Sequence, residues 1–316
     1  MHLNERAPAK VNLSLLVGPR DEHGYHELFI VFAPVDVYDE LEFELEARLS
    51  AGRSCELRVA CPAISGEANL TAQALRALER HTGWAFDGLV EVAKGIPVGA
   101  GLGGGSADAA MALRAGARVL EEAGGPVLSD TVLRMLARTL GADVAFFLDS
   151  RPAIGRGIGE LLEPLSLPSL DLVLVFLEHH LSTAKVYRAF DALRQPEGKV
   201  DFAARAAAAE ARWLALADAM TEGTLAAGEI VAALAGLLEN DLEEASCGLF
   251  PPLIAAKQAL FDEGASGCLM SGSGPTLYGV CESRATAAEL CRRVQRRGLN
   301  ARVARAGRLG DNPVLS

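Results

Sequence analysis

The sequence lacks the features that mark membrane, secreted and disulfide-rich proteins. No stretch reaches the roughly 18–20 uninterrupted apolar residues of a membrane span, and residues 1–6 lack the basic start and apolar run of a signal peptide. The six cysteines include no Cys-x-x-Cys pair, which argues against a zinc site or a disulfide framework. These absences predict a cytoplasmic protein with reduced thiols and no membrane partner.

Lysine is also scarce, and acidic residues outnumber basic ones. The formal net charge is −11, and only five of the 316 residues are lysine. A general nucleic-acid-binding protein is normally basic, so no nucleic-acid partner is expected. Two of these lysines, Lys10 and Lys94, lie beside motifs described below.

Glycine is concentrated in one place. Five of the seven residues from Gly99 to Gly105 are glycine, and the alanine- and leucine-rich stretch from Ala109 to Leu120 that follows is typical of a helix. A glycine loop that leads into a helix presents unpaired N–H groups at the positive end of the helix dipole. A flexible linker would alternate glycine with serine or charge instead. The segment therefore predicts a phosphate-binding loop.

The loop does not fit three common nucleotide motifs. A Walker A loop would need a lysine where Gly105 stands, so a P-loop NTPase is excluded. A dinucleotide fold would need an acidic residue after a second strand, whereas Glu121 and Glu122 close a helix. The sequence also contains no His-Arg-Asp catalytic loop or Asp-Phe-Gly triplet of a protein kinase.

Hydrophobic periodicity and breaker residues predict a mixed α/β N-terminal half and an α+β C-terminal half, with a candidate boundary at 151–170. The predicted strands are 11–15, 28–32, 41–45, 89–92, 144–148, 172–176, 268–271, 276–281 and 301–304. The first predicted helix starts at Asn69 or Thr71 and runs to about Thr82, and the others are 109–123, 129–140, 183–193, 203–220, 225–238, 252–263 and 286–297. The alternating glutamates at 40–46 are interpreted as a solvated strand face and not as a metal site.

Four polar segments lie at the ends of predicted elements, where functional sites collect. Lys10 and Asn12 share one face of a strand, and Asp143 is flanked by apolar residues and needs a partner if buried. Residues 21–26 form a polar turn, and residues 271–276 form a second glycine turn. Taken singly, these are an exposed lysine, a helix-ending aspartate, a surface loop and a tight turn.

Phosphoryl transfer gives all four segments a use. The reaction needs bound nucleotide phosphates, compensation of developing charge and an aligned acceptor hydroxyl. Asp143 could take the hydroxyl proton or only orient the alcohol, and Lys10 could hold carboxylate and substrate in register.

In this order, the segments resemble the GHMP kinase superfamily. Pro97–Ser106 is similar to its Pro-x-x-x-Gly-Leu-Gly-rich-Ser motif, and Ser271–Thr276 to its glycine-rich turn. The resemblance implies an α+β fold of two domains: a ribosomal-protein-S5-like α/β domain over residues 1–160, which binds ATP, and a ferredoxin-like α+β domain over residues 161–316.

The resemblance narrows to the members that phosphorylate the 2-hydroxyl of a cytidyl-diphosphate methylerythritol in non-mevalonate isoprenoid biosynthesis. It rests on residues 8–13, 24–28, 99–106 and 141–144. It implies that Lys10 and Asp143 are the catalytic pair. It further implies substrate-binding roles for Asn12, Tyr25, His26, Thr183 and Tyr187, with the two tyrosines on either face of the cytosine and His26 hydrogen-bonded to it.

The same resemblance implies that ATP is bound by the glycine loop and by two residues near the adenosine, and it leaves a monomer and a homodimer open. The implied ATP-binding residues are Pro97, Val98, Gly99, Ala100, Gly101, Leu102, Gly103, Gly104, Gly105, Ser106, Ala107, Asn69 and Lys94. Magnesium is expected from the chemistry, and no ligand cluster for it is visible.

Two of the chain's departures from the family pattern bear on the site. Ala107 replaces a second serine after the glycines, so any hydroxyl contact falls to Ser106, and His179–His180 replaces a Pro-Gly-like segment. Two alternatives stay open: a GHMP kinase for a sugar, homoserine or mevalonate-type alcohol, and a catalytically silent binding protein. The first would lack the Tyr25–His26 pair, and the second would have lost Lys10 or Asp143.

Overall fold

The computed structural model describes residues 1–50, 55–193 and 198–309. Its strands are β1 (His2–Arg20), β2 (His26–Leu49), β3 (Leu57–Ala60), β4 (Trp84–Ala93), β5 (Ala153–Arg156), β6 (Leu161–Pro164), β7 (Leu170–Phe176), β8 (Glu239–Asn240), β9 (Gly267–Met270), β10 (Leu277–Cys281) and β11 (Asn300–Ala306). Its helices are α1 (Leu70–Thr82), α2 (Gly104–Glu122), α3 (Asp130–Leu140), α4 (Ala142–Asp149), α5 (Thr183–Leu193), α6 (Lys199–Thr221), α7 (Ala227–Ala235), α8 (Glu243–Leu249), α9 (Pro252–Asp262) and α10 (Arg284–Arg296), with one 3₁₀ turn at Gly66–Ala68.

The strands form one 11-stranded sheet with the order β3-β4-β2-β11-β7-β10-β9, and β1 and β5 pair with β2 beside this path. The long β1 and β2 are antiparallel from His2–Glu44 to Arg20–His26. Side chains alternate between two hydrophobic clusters, as Leu172 and Val173 show, so the sheet is covered on both faces. One cluster contains α2, and the other contains α6 with the buried Trp213.

The predicted α+β class and most predicted elements are confirmed. Helix α5 spans 183–193, as predicted, and Ser129 caps α3 by accepting a hydrogen bond from the Val132 N–H. The predicted strands 28–32 and 41–45 are parts of the single strand β2, because the apolar alternation continues through residues 33–40. The glutamates at 40, 44 and 46 are exposed and Glu42 is half-buried, so the interpretation as a solvated face is confirmed.

One predicted strand is wrong. Residues 144–148 lie in helix α4, not in a strand, and Asp143 is in the first turn of that helix. Periodicity cannot separate a short buried strand from a buried helix when every residue is apolar. Residues 144–148 are all buried, which removes the polar face that would have shown a helical period.

All six cysteines are free, and three of them are only partly buried. Over the ranges described above, no helix combines the length and apolar character needed to span a bilayer. The division of the chain near residue 160 stays a prediction.

Candidate active site

Most of the predicted site residues surround one cavity of about 710 Å³. It lies where β1, the segment between β4 and α2, the start of α4 and the turn between β9 and β10 meet. The predicted site residues that line it are Lys10, Asn12, Asn69, Lys94, Pro97–Ser106, Asp143, Thr183 and Tyr187. Of the predicted residues, Tyr25, His26 and Ala107 do not line it.

Lys10 and Asp143 form an ion pair in the wall of this cavity. The Lys10 Nζ lies 3.7 Å from Asp143 Oδ2 and donates a hydrogen bond of 2.6 Å to Asn12 Oδ1. Lys10 and Asn12 point to the same side because they are two residues apart on β1. Burial lowers the pKa of Lys10, and the Asp143 carboxylate acts in the opposite direction. The Asp143 side chain is 33% exposed, so a bound molecule can reach it.

The glycine loop is bonded directly to the strand that carries Lys10. The Lys10 N–H donates to the Leu102 carbonyl at 2.9 Å. Gly103 then adopts a left-handed conformation, with φ of 73°, and caps α2, so that helix begins in the cavity wall with Gly104, Gly105 and Ser106. The Ala107 side chain is fully buried and its N–H donates to the Gly103 carbonyl, so it contributes to packing at this position.

The second glycine turn packs against the first. The Ser271 hydroxyl donates to the Gly101 carbonyl at 3.0 Å, and the Thr276 N–H donates to the Ala100 carbonyl at 3.3 Å. A Cβ atom on Gly101 would lie 2.3 Å from the Ser271 oxygen, and one on Gly272 would lie 3.2 Å from Lys10 Nζ. The second turn is therefore more than a tight connection, because it closes the cavity beside Lys10.

Sequence reasoning missed Asn240, which fixes the second turn, and the contact between Ser273 and Thr183. The Asn240 Nδ2 donates to the carbonyls of Met270 and Gly272, each at 2.8 Å. The Ser273 hydroxyl lies 2.9 Å from that of Thr183 at the start of α5. These contacts join segments 30 to 90 residues apart, so no local pattern could have revealed them.

The predicted base-binding residues are only partly brought together. His26 and Tyr187 stack on each other with ring centroids 5.4 Å apart, whereas Tyr25 is 60% exposed. Both ring nitrogens of His26 already have partners, the Gly18 carbonyl at 2.7 Å and Asp191 at 3.0 Å. Burial and the nearby Asp143 charge raise the pKa of Tyr187.

The two residues predicted near the adenosine have structural partners as well. Asn69 caps α1, because its Oδ1 accepts from the Thr71 N–H at 2.8 Å. The Lys94 ammonium is ion-paired with Asp39 and Asp108. Sequence reasoning also missed His180, whose Nδ1 would lie 1.8 Å from a Cβ on Gly99. His180 thus occupies the space beside the glycine loop that a side chain at position 99 would need.

Metal ligands are not clustered in the cavity. Within the described ranges, one trio of His, Cys, Asp or Glu side chains is close enough to share an ion: His2, Glu42 and Glu44. None of the three lines the cavity. Side-chain oxygens that line the cavity belong to separate residues, Asp143 and Ser106 among them.

Comparisons with known proteins agree on one family. Residues 69–151 match the family described as GHMP kinases N terminal domain, and residues 204–300 match GHMP kinases C terminal. A 4-diphosphocytidyl-2-C-methyl-D-erythritol kinase of Citrifermentans bemidjiense is 38% identical over 282 residues, covering 89% of this chain and 90% of that protein. The kinase of the same name from Thermobifida fusca is 39% identical over 300 residues, covering 90% and 89%.

Solved structures extend the similarity to the fold. A crystal structure of 4-(cytidine 5'-diphospho)-2C-methyl-D-erythritol kinase superposes with a TM-score of 0.70 at 34% identity, covering 97% of this chain and 100% of that chain. The homoserine kinase from Cytophaga hutchinsonii reaches a TM-score of 0.65 at 18% identity, covering 96% and 94%. At that identity the second similarity concerns the fold alone.

Proposed function

Because the chain belongs to the 4-diphosphocytidyl-2-C-methyl-D-erythritol kinases of the GHMP kinase family, we propose that its cavity transfers the γ-phosphoryl group of ATP to the 2-hydroxyl of that cytidyl-diphosphate alcohol. The protein is thus an ATP-dependent kinase of non-mevalonate isoprenoid precursor biosynthesis. The observation that carries the site assignment is the Lys10–Asp143 pair, 3.7 Å apart, beside a glycine loop that opens a helix.

The glycine loop would hold the ATP phosphates. Helix α2 begins in the cavity wall, its first N–H groups have no partner within the helix, and the helix dipole adds positive potential there. Gly104 and Gly105 carry no side chain, so phosphate oxygens can approach the backbone closely. The Ser106 hydroxyl adds a donor at the same place.

Asp143 and Lys10 would act on the acceptor alcohol. As the acceptor oxygen bonds to the γ-phosphorus, the bond from that phosphorus to the β–γ bridging oxygen breaks and ADP leaves. The hydroxyl proton passes to an Asp143 carboxylate oxygen. The Lys10 ammonium, 3.7 Å from that carboxylate, keeps it oriented and compensates charge that develops on the transferred group.

The cytidyl end of the substrate would lie toward α5. Tyr187 and Thr183 line that side of the cavity, and Asn12 lies next to Lys10 on the same strand face. His26 stacks on Tyr187, so a cytosine that binds between aromatic rings must separate this pair or extend it. Tyr25, on the exposed turn before His26, is the ring that would cover the base from outside.

The residues present fit a magnesium ion that arrives with ATP. Mg²⁺ in kinases is commonly held largely by the substrate phosphates, and the Ser106 hydroxyl in the cavity wall would supply a protein oxygen beside them. The ion would neutralise charge on the phosphate oxygens. We further expect the protein to act in the cytoplasm as a monomer or homodimer.

A panel of acceptors tests this proposal. With ATP and magnesium, we expect ADP release with 4-diphosphocytidyl-2-C-methyl-D-erythritol and only background release with homoserine, mevalonate or galactose. Activity confined to an acceptor without cytidine would assign the chain to another GHMP kinase activity. Absence of ADP release with every acceptor, while ATP still binds, would identify a silent binding protein.

A further inference from the structure

Beneath the glycine loop lies a buried group of three charges that the reaction scheme does not use. Asp39 is fully buried on β2, Asp108 is 2% exposed on α2, and the Lys94 ammonium lies between their carboxylates. Lys94 follows directly after β4, whose antiparallel pairing with β2 ends at Glu40–Ala93 and so brings Lys94 beside Asp39. The positions of Asp39 and Lys94 are thus set by the pairing of β2 with β4, and that of Asp108 is set by helix α2.

Asp39 holds the residues before the loop. Its Oδ1 accepts hydrogen bonds from the N–H groups of Gly95 and Ile96, each at 2.8 Å, and its Oδ2 accepts from Lys94 Nζ. A Cβ on Gly104, the first residue of α2, would lie 3.1 Å from Asp39 Oδ2. One carboxylate therefore bonds to the residues before the loop and lies close to Gly104 within it.

Lys94 completes the connection to the residues after the loop. Its ammonium also donates to Asp108 Oδ2 at 2.9 Å, one turn into α2. The other oxygen, Asp108 Oδ1, is buried and has no partner in the described part of the chain. Burial beside Asp39 raises the pKa of Asp108 to about 7, while Lys94 acts in the opposite direction.

We propose that Lys94 is a positioning residue for ATP: through Asp39 and Asp108, its ammonium joins the residues before and after the phosphate-binding loop and fixes the shape of that loop. This inference rests on the proposed function in taking residues 97–106 to be the loop that binds the phosphates. This positioning role differs from a direct contact between Lys94 and the adenosine. A direct contact would depend on Lys94 and not on Asp39.

Asp39 accepts hydrogen bonds with both carboxylate oxygens and Asp108 with one, so substitution by asparagine should affect them differently. Asp39 uses both oxygens as acceptors, so Asp39→Asn replaces an acceptor by an NH₂ group and must lose a bond. Asp108 uses one oxygen, so Asp108→Asn keeps the bond from Lys94, whereas Asp108→Ala removes it. Nucleotide affinity, measured calorimetrically without acceptor, should fall about tenfold in Asp39→Asn, Lys94→Met and Asp108→Ala and stay within about twofold in Asp108→Asn.

The matched control lies on the same helix. Arg118, near the far end of α2, pairs at 3.0 Å with the buried Glu5, so Arg118→Met also leaves a buried carboxylate without its cation. We expect Arg118→Met to lower the melting temperature and leave ATP affinity within about twofold. If Lys94→Met does not fold, Asp39→Asn and the two Asp108 variants carry the test.

The choice of nucleotide separates positioning from direct contact. A misplaced phosphate loop should weaken ATP and ADP but leave adenosine, measured as a competitor, within about twofold. Equal loss for adenosine and ATP, or ATP affinity unchanged in folded Asp39→Asn, would overturn the proposal. Because these titrations contain no acceptor, their outcome is independent of whether the chain phosphorylates the cytidyl substrate.

Discussion

Lys10 shows how a single residue can carry charge inside a protein. Its side chain is 5% exposed, and the ammonium is stabilised by Asn12 Oδ1 at 2.6 Å and by the Asp143 carboxylate at 3.7 Å. Burial outweighs these partners, so the pKa of Lys10 lies below that of a free lysine. The protonated form is the one that can compensate phosphoryl charge.

The lowered pKa of Lys10 predicts how the reaction depends on pH. As pH rises, Lys10 of the free enzyme loses its proton earlier than a free lysine would, so kcat/KM should fall on the alkaline side at a pH below the ordinary lysine value. In Lys10→Arg the guanidinium keeps its charge, and the alkaline decline should disappear even if kcat/KM is lower overall. A decline at the same pH in both proteins would show that another group causes it.

His26 gives a second test at the residue scale. Because His26 stacks on Tyr187 near the α5 side of the cavity, His26→Ala should raise KM for the cytidyl substrate about tenfold and leave KM for ATP within about twofold. His23→Ala is the control, since His23 lies on the same turn and its side chain is 74% exposed. Equal changes in both KM values for His26→Ala would argue against a role in base binding.

The residues that could be predicted from sequence are those whose placement depends on local geometry. Lys10 and Asn12 share a face because strands repeat every two residues, and the structure joins them by a hydrogen bond. Asp39 could not be predicted, because its partners come from a strand pairing more than 50 residues away. Such contacts depend on register, which no short pattern specifies.

At the scale of elements, α4 determines where the Asp143 carboxylate lies. Gly141 ends α3 by donating to the Ala137 carbonyl and at once precedes α4, so Asp143 lies in a first helical turn, where a negative charge is favoured. The predicted strand at 144–148 would have placed Asp143 at a strand start without this dipole. The error arose because residues 144–148 are all apolar. The expected pairing of Asp143 with Lys10 came from the family resemblance and not from that strand, so the error did not affect it.

The contact between the two glycine turns can be tested with a matched pair of glycines. Gly101 and Gly124 have φ values of 76° and 78°, so alanine is strained equally at both. Only at Gly101 would the Cβ meet backbone, 2.3 Å from the Ser271 oxygen, whereas at Gly124 it meets no described atom within 4 Å. Gly124→Ala should cost about 1–2 kcal/mol of stability with unchanged kinetics.

Gly101→Ala should lose more stability and also raise KM for ATP by at least about tenfold, since the loop and the Ser271 turn must move apart. Thermal melts and initial rates on both variants provide the comparison. Similar kinetics in Gly101→Ala and Gly124→Ala would mean that the packing of the two turns is unimportant for ATP.

At the scale of the whole molecule, the cavity exists because one sheet joins the two halves of the chain. Strand β11 pairs with both β2 and β7, and this brings the turn between β9 and β10 against the loop between β4 and α2. Hydrophobic alternation predicted most of these strands, but not that Ala306 would pair with Val35. The α+β class was therefore predictable from sequence, and the closure of the site was not.

The most direct test of the central claim compares single-turnover ADP formation on the cytidyl substrate in Asp143→Asn and in the parent protein. The control is Asp149→Asn, at the opposite end of α4, where the carboxylate pairs with Arg134 at 2.7 Å. Asp143→Asn should slow the transfer at least about 100-fold with ATP affinity unchanged, and Asp149→Asn should stay within about twofold of the parent rate. Transfer by Asp143→Asn at near the parent rate would contradict the assignment of this carboxylate to the acceptor hydroxyl.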